Sequence, residues 1–248
     1  MNENAFPSKM QPVHLRVIFK ILSVIIFISI IISVLCFSLF ATLYNRAFYD
    51  WVQELNGTAA KLKVDQPTLD LLVTNIMKYF FGTRNTLQTE VQFTNGGGLV
   101  NFYTADELSH MVDVKVIFDV FNMMGFILPI LLILIGTILI LKDKNWKGDF
   151  AFGALVSSIV FLVPIAIIGI GMAIDFDETF TLFHKIMFPQ GNWSFSTRMT
   201  TLLPGDLFMY AAFILLTFTV VTIVGLFVYG LTTTMQNYIR KTKTRQKN

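Results

Sequence analysis

The chain has 248 residues, 54% of them apolar or aromatic and only 14% charged, and its mean hydropathy is +0.63. Soluble domains carry about a quarter charged residues, so this composition excludes an ordinary soluble fold and points to a membrane protein. The 19 Lys and Arg against 16 Asp and Glu leave a net charge of +3, too small and scattered for a nucleic-acid surface, and the single cysteine, Cys36, excludes an internal disulfide or a multi-cysteine site.

Crossing the hydrocarbon layer takes about 20 apolar residues in a helix, and four charge-free runs reach that length. After a leader over 1–20 comes a first predicted span over 21–45, too long for the apolar part of a signal peptide and therefore read as a retained anchor. An insertion over 46–115 follows. In it, Asp70 to Phe81 has a helical apolar pattern, and Glu90 to Tyr103 has a hairpin signature: Val91 to Phe93, a turn at Asn95, Gly96 and Gly97, then Leu99 to Phe102. The glycines are read as a turn, because no Lys-Ser or Lys-Thr follows to make a phosphate loop. Thr104 and Glu107 form a Thr-x-x-Glu capping box, so a helix should start near Ala105, project from the membrane and run on into a second span over 116–141.

A short turn over 142–149 leads to a third span over 150–174, and a connection over 175–206 leads to a fourth span over 207–239 and a basic tail over 240–248. In the connection, Thr179 to Met187 should form a short helix stopped by Pro189, with a second turn ending at Pro204. Phe180, Phe183, Phe188, Trp193 and Phe195 suit the headgroup region. Pro129 and Pro164 should kink their helices, and Gly169 and Gly171 should serve close packing. The expected fold is mainly α and membrane-integral: a four-transmembrane-helix bundle with a small mixed helix and hairpin extracytoplasmic insertion after helix 1 and an interfacial aromatic loop after helix 3.

Lys and Arg near helix ends bias those ends toward the cytoplasm. Lys9, Arg16 and Lys20 precede the first span, Lys142, Lys144 and Lys147 fill the short turn, and Arg240, Lys241, Lys243, Arg245 and Lys247 form the tail. Both termini are therefore expected inside, and the two longer connections, which hold most of the acidic residues, outside. The four apolar runs, which in the second span begin at Val120 just after Asp119, carry no formal charge, which argues against an ion or proton pathway.

Two of the three histidines, His110 and His184, fall on the expected outer side, and His14 lies in the leader. Imidazole can both accept and donate a proton near neutrality, so an acid and base pair is one reading. Ordinary polar residues at a membrane boundary are another. His110, Asp113 and His184 also offer two nitrogens and an oxygen, a ligand set zinc accepts. Neither a Gly-x-Ser-x-Gly elbow nor an outer cysteine is present, so a serine or thiol acyl-enzyme lacks its motif, and no cofactor-binding motif is found.

The stretch Tyr103, Thr104, Ala105, Asp106, Glu107, Leu108, Ser109, His110, Met111, Val112, Asp113, Val114 and Lys115 resembles the bacterial lipoprotein intramolecular transacylase family, Lit. So do Phe183, His184, Phe188, Trp193, Ser194 and Phe195, and the Leu202, Leu203 and Pro204 that lead into the fourth span, and the four-span layout is similar too. The resemblance implies an acyltransferase of the cytoplasmic membrane, without cofactor or metal. It would move the sn-2 acyl chain of a diacylglyceryl-cysteine to that cysteine's own α-amine, giving a lyso-form lipoprotein. It implies His110 and His184 as catalytic residues and a diacylglyceryl lipoprotein and membrane lipid as partners; in such a site Asp113 is expected to orient the His110 ring, and Glu107 and Trp193 to orient or hold substrate. A non-catalytic membrane sensor or assembly protein and a metal-assisted membrane hydrolase are the alternatives that the residues leave open.

Overall fold

The computed structural model describes residues 12–142, 145–195 and 197–246; Lys9, Lys144 and Lys247 lie outside the described residues. The chain is mainly α and membrane-integral. Among the described residues, four helices are long and apolar enough to cross a membrane: α1 (Val13–Leu43), α5 (Ala105–Lys142), α6 (Trp146–Ile174) and α9 (Gly205–Arg245). Between α1 and α5 lie α2 (Arg46–Asn56), α3 (Thr58–Leu62), α4 (Gln66–Phe80) and the strands β1 (Glu90–Val91) and β2 (Val100–Asn101), and between α6 and α9 lie α7 (Phe176–Met187) and α8 (Arg198–Leu202). Large apolar side chains such as Phe126, Ile133, Val163 and Val221 are exposed along the long helices. A hydrocarbon solvent covers such faces at no cost.

The chain divides into two compact units. Among the described residues, the first is built from 12–32, 128–142, 145–163 and 221–246. Small residues bring its helices together: Gly153 of α6 faces the α1 backbone so closely that a Cβ there would stand 2.6 Å from the carbonyl carbon of Ser23. The hydroxyl of Ser23 donates to the Asp149 oxygen at 2.7 Å and that of Ser157 to the Val24 oxygen at 3.1 Å, while Gly230 of α9 lies against Ala151 and Leu155. Close backbone approach with hydroxyl bonds between helices is how helices associate where no hydrophobic effect drives them together.

The second unit, residues 33–127 and 164–220, has a core like that of a soluble domain. Val52 of α2, Leu72, Val73 and Ile76 of α4, Leu87, Phe102, and Leu202 of α8 are almost wholly buried in it. Each short helix has its own start and stop. Asn45 caps α2 by accepting from the Ala47 N–H, and Gly57, at φ 59°, ends it. Asp65 caps α4 by accepting from the Thr68 N–H, with Pro67 in the first turn. This cap starts α4 four residues before the apolar pattern that begins at Asp70. The Arg46 guanidinium ties α2 to α4 through Asp70 at 2.6 Å and Thr74 at 3.2 Å. The hairpin pairs Glu90 with Asn101 and Val91 with Val100, shorter than its signature suggests, and Gly96 and Gly97 turn at positive φ.

Candidate active site

The N-terminal turns of α5 set one wall. The capping box forms: the Glu107 carboxylate accepts from the Thr104 N–H at 2.7 Å, and the Thr104 hydroxyl accepts from the Glu107 N–H at 3.3 Å. This fixes the helical phase, so Glu107, His110 and Asp113, three residues apart, share one face. His110 is only 5% exposed, and its Nδ1 is buried with no hydrogen-bond partner among the described residues.

The opposite wall is α7, which starts at Phe176 because Asp175 accepts from the Glu178 N–H. His184 lies in its last turn. Its ring centre stands 6.0 Å from that of His110, the two planes tilted by 33°. His184 Nδ1 lies 2.8 Å from the Phe180 oxygen. A carbonyl only accepts, so Nδ1 carries the proton and Nε2 the lone pair.

Aromatic rings enclose both imidazoles. Phe188 packs 4.7 Å from His110 and 5.6 Å from His184, Phe195 lies 5.7 Å from His110, and Phe180 and Trp193 lie 4.2 and 5.3 Å from His184. Behind the rings, a cavity of about 330 Å³ with mostly apolar walls runs past Phe118 and Phe121 to Leu39 and Leu43. The surroundings set the charge state. Burial, and then the neighbouring His184, push the His110 pKa down to about 4 against the opposing pull of Asp113. Burial also lowers that of His184, although the bond to the Phe180 oxygen works against it. Both rings are therefore neutral near pH 7, each with one N–H and one basic nitrogen.

Asp113 does not hydrogen-bond His110, contrary to an orienting role through the ring. Its carboxylate accepts from Gln190 Nε2 at 2.9 Å and Asn192 Nδ2 at 2.8 Å. Glu107, 1% exposed, uses its second oxygen to accept from the Thr197 hydroxyl. The two carboxylates one turn to either side of His110 thus hold the segment bearing Phe188, Trp193 and Phe195 across it. No motif in the sequence assigns Gln190, Asn192 or Thr197 to this site. Their one local sign is the turn at Gly191, φ 82°, which lies between the two Asp113 donors. The possible ligand set of His110, Asp113 and His184 does not converge: among the described residues no three His, Cys, Asp or Glu are placed to share one ion.

The arrangement suits acyl chemistry in an apolar site: two neutral imidazoles face one gap, beside an apolar cavity and under an aromatic cover. The family model for the lipoprotein intramolecular transacylase Lit matches residues 24–204. Among solved structures, the chain is similar to the membrane integral lipoprotein intramolecular transacylase Lit from Bacillus cereus, with 17% identity, 90% of this chain and 99% of that chain covered, and a TM-score of 0.65. Two structures of that protein with a single histidine substitution are similar at 18% identity and a TM-score of 0.65. The arginine variant covers 92% of this chain and 96% of its own, and the alanine variant 91% and 98%. The comparison with curated proteins finds no match.

Proposed function

The chain belongs to the lipoprotein intramolecular transacylase family Lit, and from that premise we propose that it transfers the sn-2 acyl chain of a diacylglyceryl lipoprotein to the cysteine α-amine between His110 and His184. The observation that carries this reading is the pair of imidazoles 6.0 Å apart in one apolar cavity, one of them with a buried, unpartnered nitrogen. Such an orphan costs about 1–3 kcal/mol unless something fills it, and a substrate oxygen would do so. Hydrogen bonds of about 3 Å from each ring can reach one carbonyl group in that gap.

Amine and ester belong to one molecule, so no protein nucleophile is needed. The α-amine nitrogen attacks the sn-2 ester carbonyl, closing a ring of eight atoms, while His184 Nε2 accepts the amine proton. The oxyanion takes a hydrogen bond from the His110 N–H; a neutral imidazole serves here as a donor. Collapse breaks the bond between the acyl carbon and the glyceryl oxygen, and protonated His184 returns its proton to that oxygen. The products are an amide and a secondary alcohol within the same molecule, an isomer of the substrate. Eight-membered closure is unfavourable unless held, and preorganisation contributes on the order of 7–11 kcal/mol against about 3–5 for one acid or base. Positioning by Trp193, the phenylalanines and the Glu107 and Asp113 contacts therefore carries most of the rate, and the same cover excludes water that would hydrolyse the ester.

The basic segments around the first span, the short turn and the tail support an orientation with both termini in the cytoplasm and the histidines at the outer leaflet. The test is tandem mass spectrometry of a reporter lipoprotein from a host without N-acylation, with the wild-type chain, His110→Ala or His184→Ala. Acyl chain on the amine, dependent on both histidines, is expected. Transfer at the wild-type rate in both variants would overturn the assignment.

A further inference from the structure

A second cavity, of about 500 Å³, shares Thr200 in its wall with the histidine cavity. Its character is the opposite: Lys61 of α3, Arg198 of α8, Glu107 and the hydroxyls of Thr197, Thr200 and Thr201 line it. The guanidinium of Arg198 is held over the rings of Phe93 and Phe102, 5.1 and 5.9 Å from their centres. Among the described residues neither Lys61 nor Arg198 forms a salt bridge. Each Glu107 oxygen already holds a donor, the Thr104 N–H on one and the Thr197 hydroxyl on the other, and in the wall this one carboxylate stands against two cations. The wall thus carries an excess of positive charge, from two cations without a salt bridge among the described residues.

Position relative to the chemistry narrows the occupant. Glu107 precedes His110 by one turn of α5, about 4.5 Å along the axis, on the side away from the apolar run that begins at Val120. In the reaction proposed above, on which this inference rests, the cysteine sits between the histidines, its acyl chains enter the apolar cavity and its carbonyl continues into the lipoprotein. Peptide groups cannot follow the acyl chains, since each unpaired amide buried there costs several kcal/mol. They have to leave on the polar side, and the cavity beyond Thr200 opens there. A phospholipid headgroup would fit the cations but not the direction, which leads away from the membrane-spanning part of α5.

We infer that this polar cavity receives the first residues of the lipoprotein chain after the modified cysteine, and that Lys61 and Arg198 favour an acidic side chain among them. The full-length protein in proteoliposomes is given two synthetic diacylglyceryl-cysteinyl peptides that differ only at the second and third residues after the cysteine, both Asp in one and both Lys in the other. Wild-type chain should use the acidic peptide about fivefold better in kcat/KM, chiefly through KM, and less so as salt is raised. Lys61→Glu with Arg198→Glu should reverse the order. The milder Lys61→Ala, at an exposed position, should bring the ratio toward one, and it tests the same preference if the double variant fails to accumulate. Equal use of the peptides by wild type, or an unchanged ratio in the variants, overturns the inference while leaving the transacylase reading intact. Absence of transfer on either peptide by wild type would remove both.

Discussion

The Nδ1–H of His184 donates to the Phe180 oxygen one turn back on the same helix, at 2.8 Å, whereas His110 has no such tether on its Nδ1. Two histidines of one cavity are therefore unequal. The His184 ring has its tautomer set by the main chain, with the basic nitrogen left on Nε2. The His110 ring keeps both tautomers open and can turn its N–H toward whatever oxygen the substrate presents.

This inequality separates their substitutions. His184→Ala removes the proton carrier and should lower kcat about 100- to 10,000-fold. His110→Ala removes an oxyanion donor and should cost about 100- to 1000-fold, while His110→Asn, which keeps an N–H at a similar reach, should retain activity above the alanine variant. Single-turnover transfer followed by fragmentation mass spectrometry reads these, fragmentation being needed because product and substrate have the same mass. Equal losses for Asn and Ala at position 110 would argue against the donor role.

The charge state of His110 should appear in stability. The folded protein holds this ring neutral down to about pH 4, whereas the unfolded chain protonates it near its ordinary value of about 6.5. Between those values the unfolded state binds the extra proton, so stability is fully present above pH 6.5 and is lost as pH falls toward 4. Thermal unfolding in detergent should show that decline, and it should be shallower in His110→Phe. An imidazole titration by NMR with a His110 midpoint at or above 6.5 would contradict the burial argument.

How much of this can be read from the residues depends on how local the determining interaction is. The four apolar runs are self-contained signals, since a hydrocarbon solvent demands them wherever they occur. The capping box at Thr104 and Glu107 is equally legible, because both bonds close within three residues. The helices α2 and α3 are not: the apolar face of α2 consists of Phe48, Tyr49 and Val52, about one turn, and is buried only by packing in the core it joins. The spacing of three does place Asp113 on the His110 face, but its partners lie 77 and 79 residues away on a loop. No periodicity reports a contact of that kind.

Packing in the first unit leads to a prediction independent of the chemistry. A Cβ at Gly153 would meet the backbone of Ser23 at 2.6 Å, and backbone cannot swing aside as a side-chain end can. Gly153→Ala should push α6 off α1 and break the Ser23 hydroxyl bond to the Asp149 oxygen. A loss of about 1–3 kcal/mol is expected, visible as a lowered midpoint of thermal unfolding. Gly136, whose Cβ would meet nothing within 4 Å, is the control. Equal effects at the two glycines would refute the close-contact argument.

Asp113 is the position where positioning and chemistry can be told apart. Its carboxylate takes both Gln190 and Asn192, and the segment it holds carries Phe188 against His110 and Trp193 against His184. Two hydrogen bonds to a partly exposed carboxylate stabilise that closed segment by roughly 1–3 kcal/mol together. In Asp113→Ala the segment should open more often, admitting water to the ester. The expected result is a fall in kcat of about tenfold to a hundredfold together with a new product, free fatty acid and a lyso-glyceryl peptide with an unmodified amine. Asp113→Asn keeps an acceptor oxygen and should restore much of the transfer. Mass spectrometry distinguishes hydrolysis, which changes the lipopeptide mass, from transfer, which does not. A slower Asp113→Ala enzyme with no hydrolysis product would mean that Asp113 does not serve to keep water out.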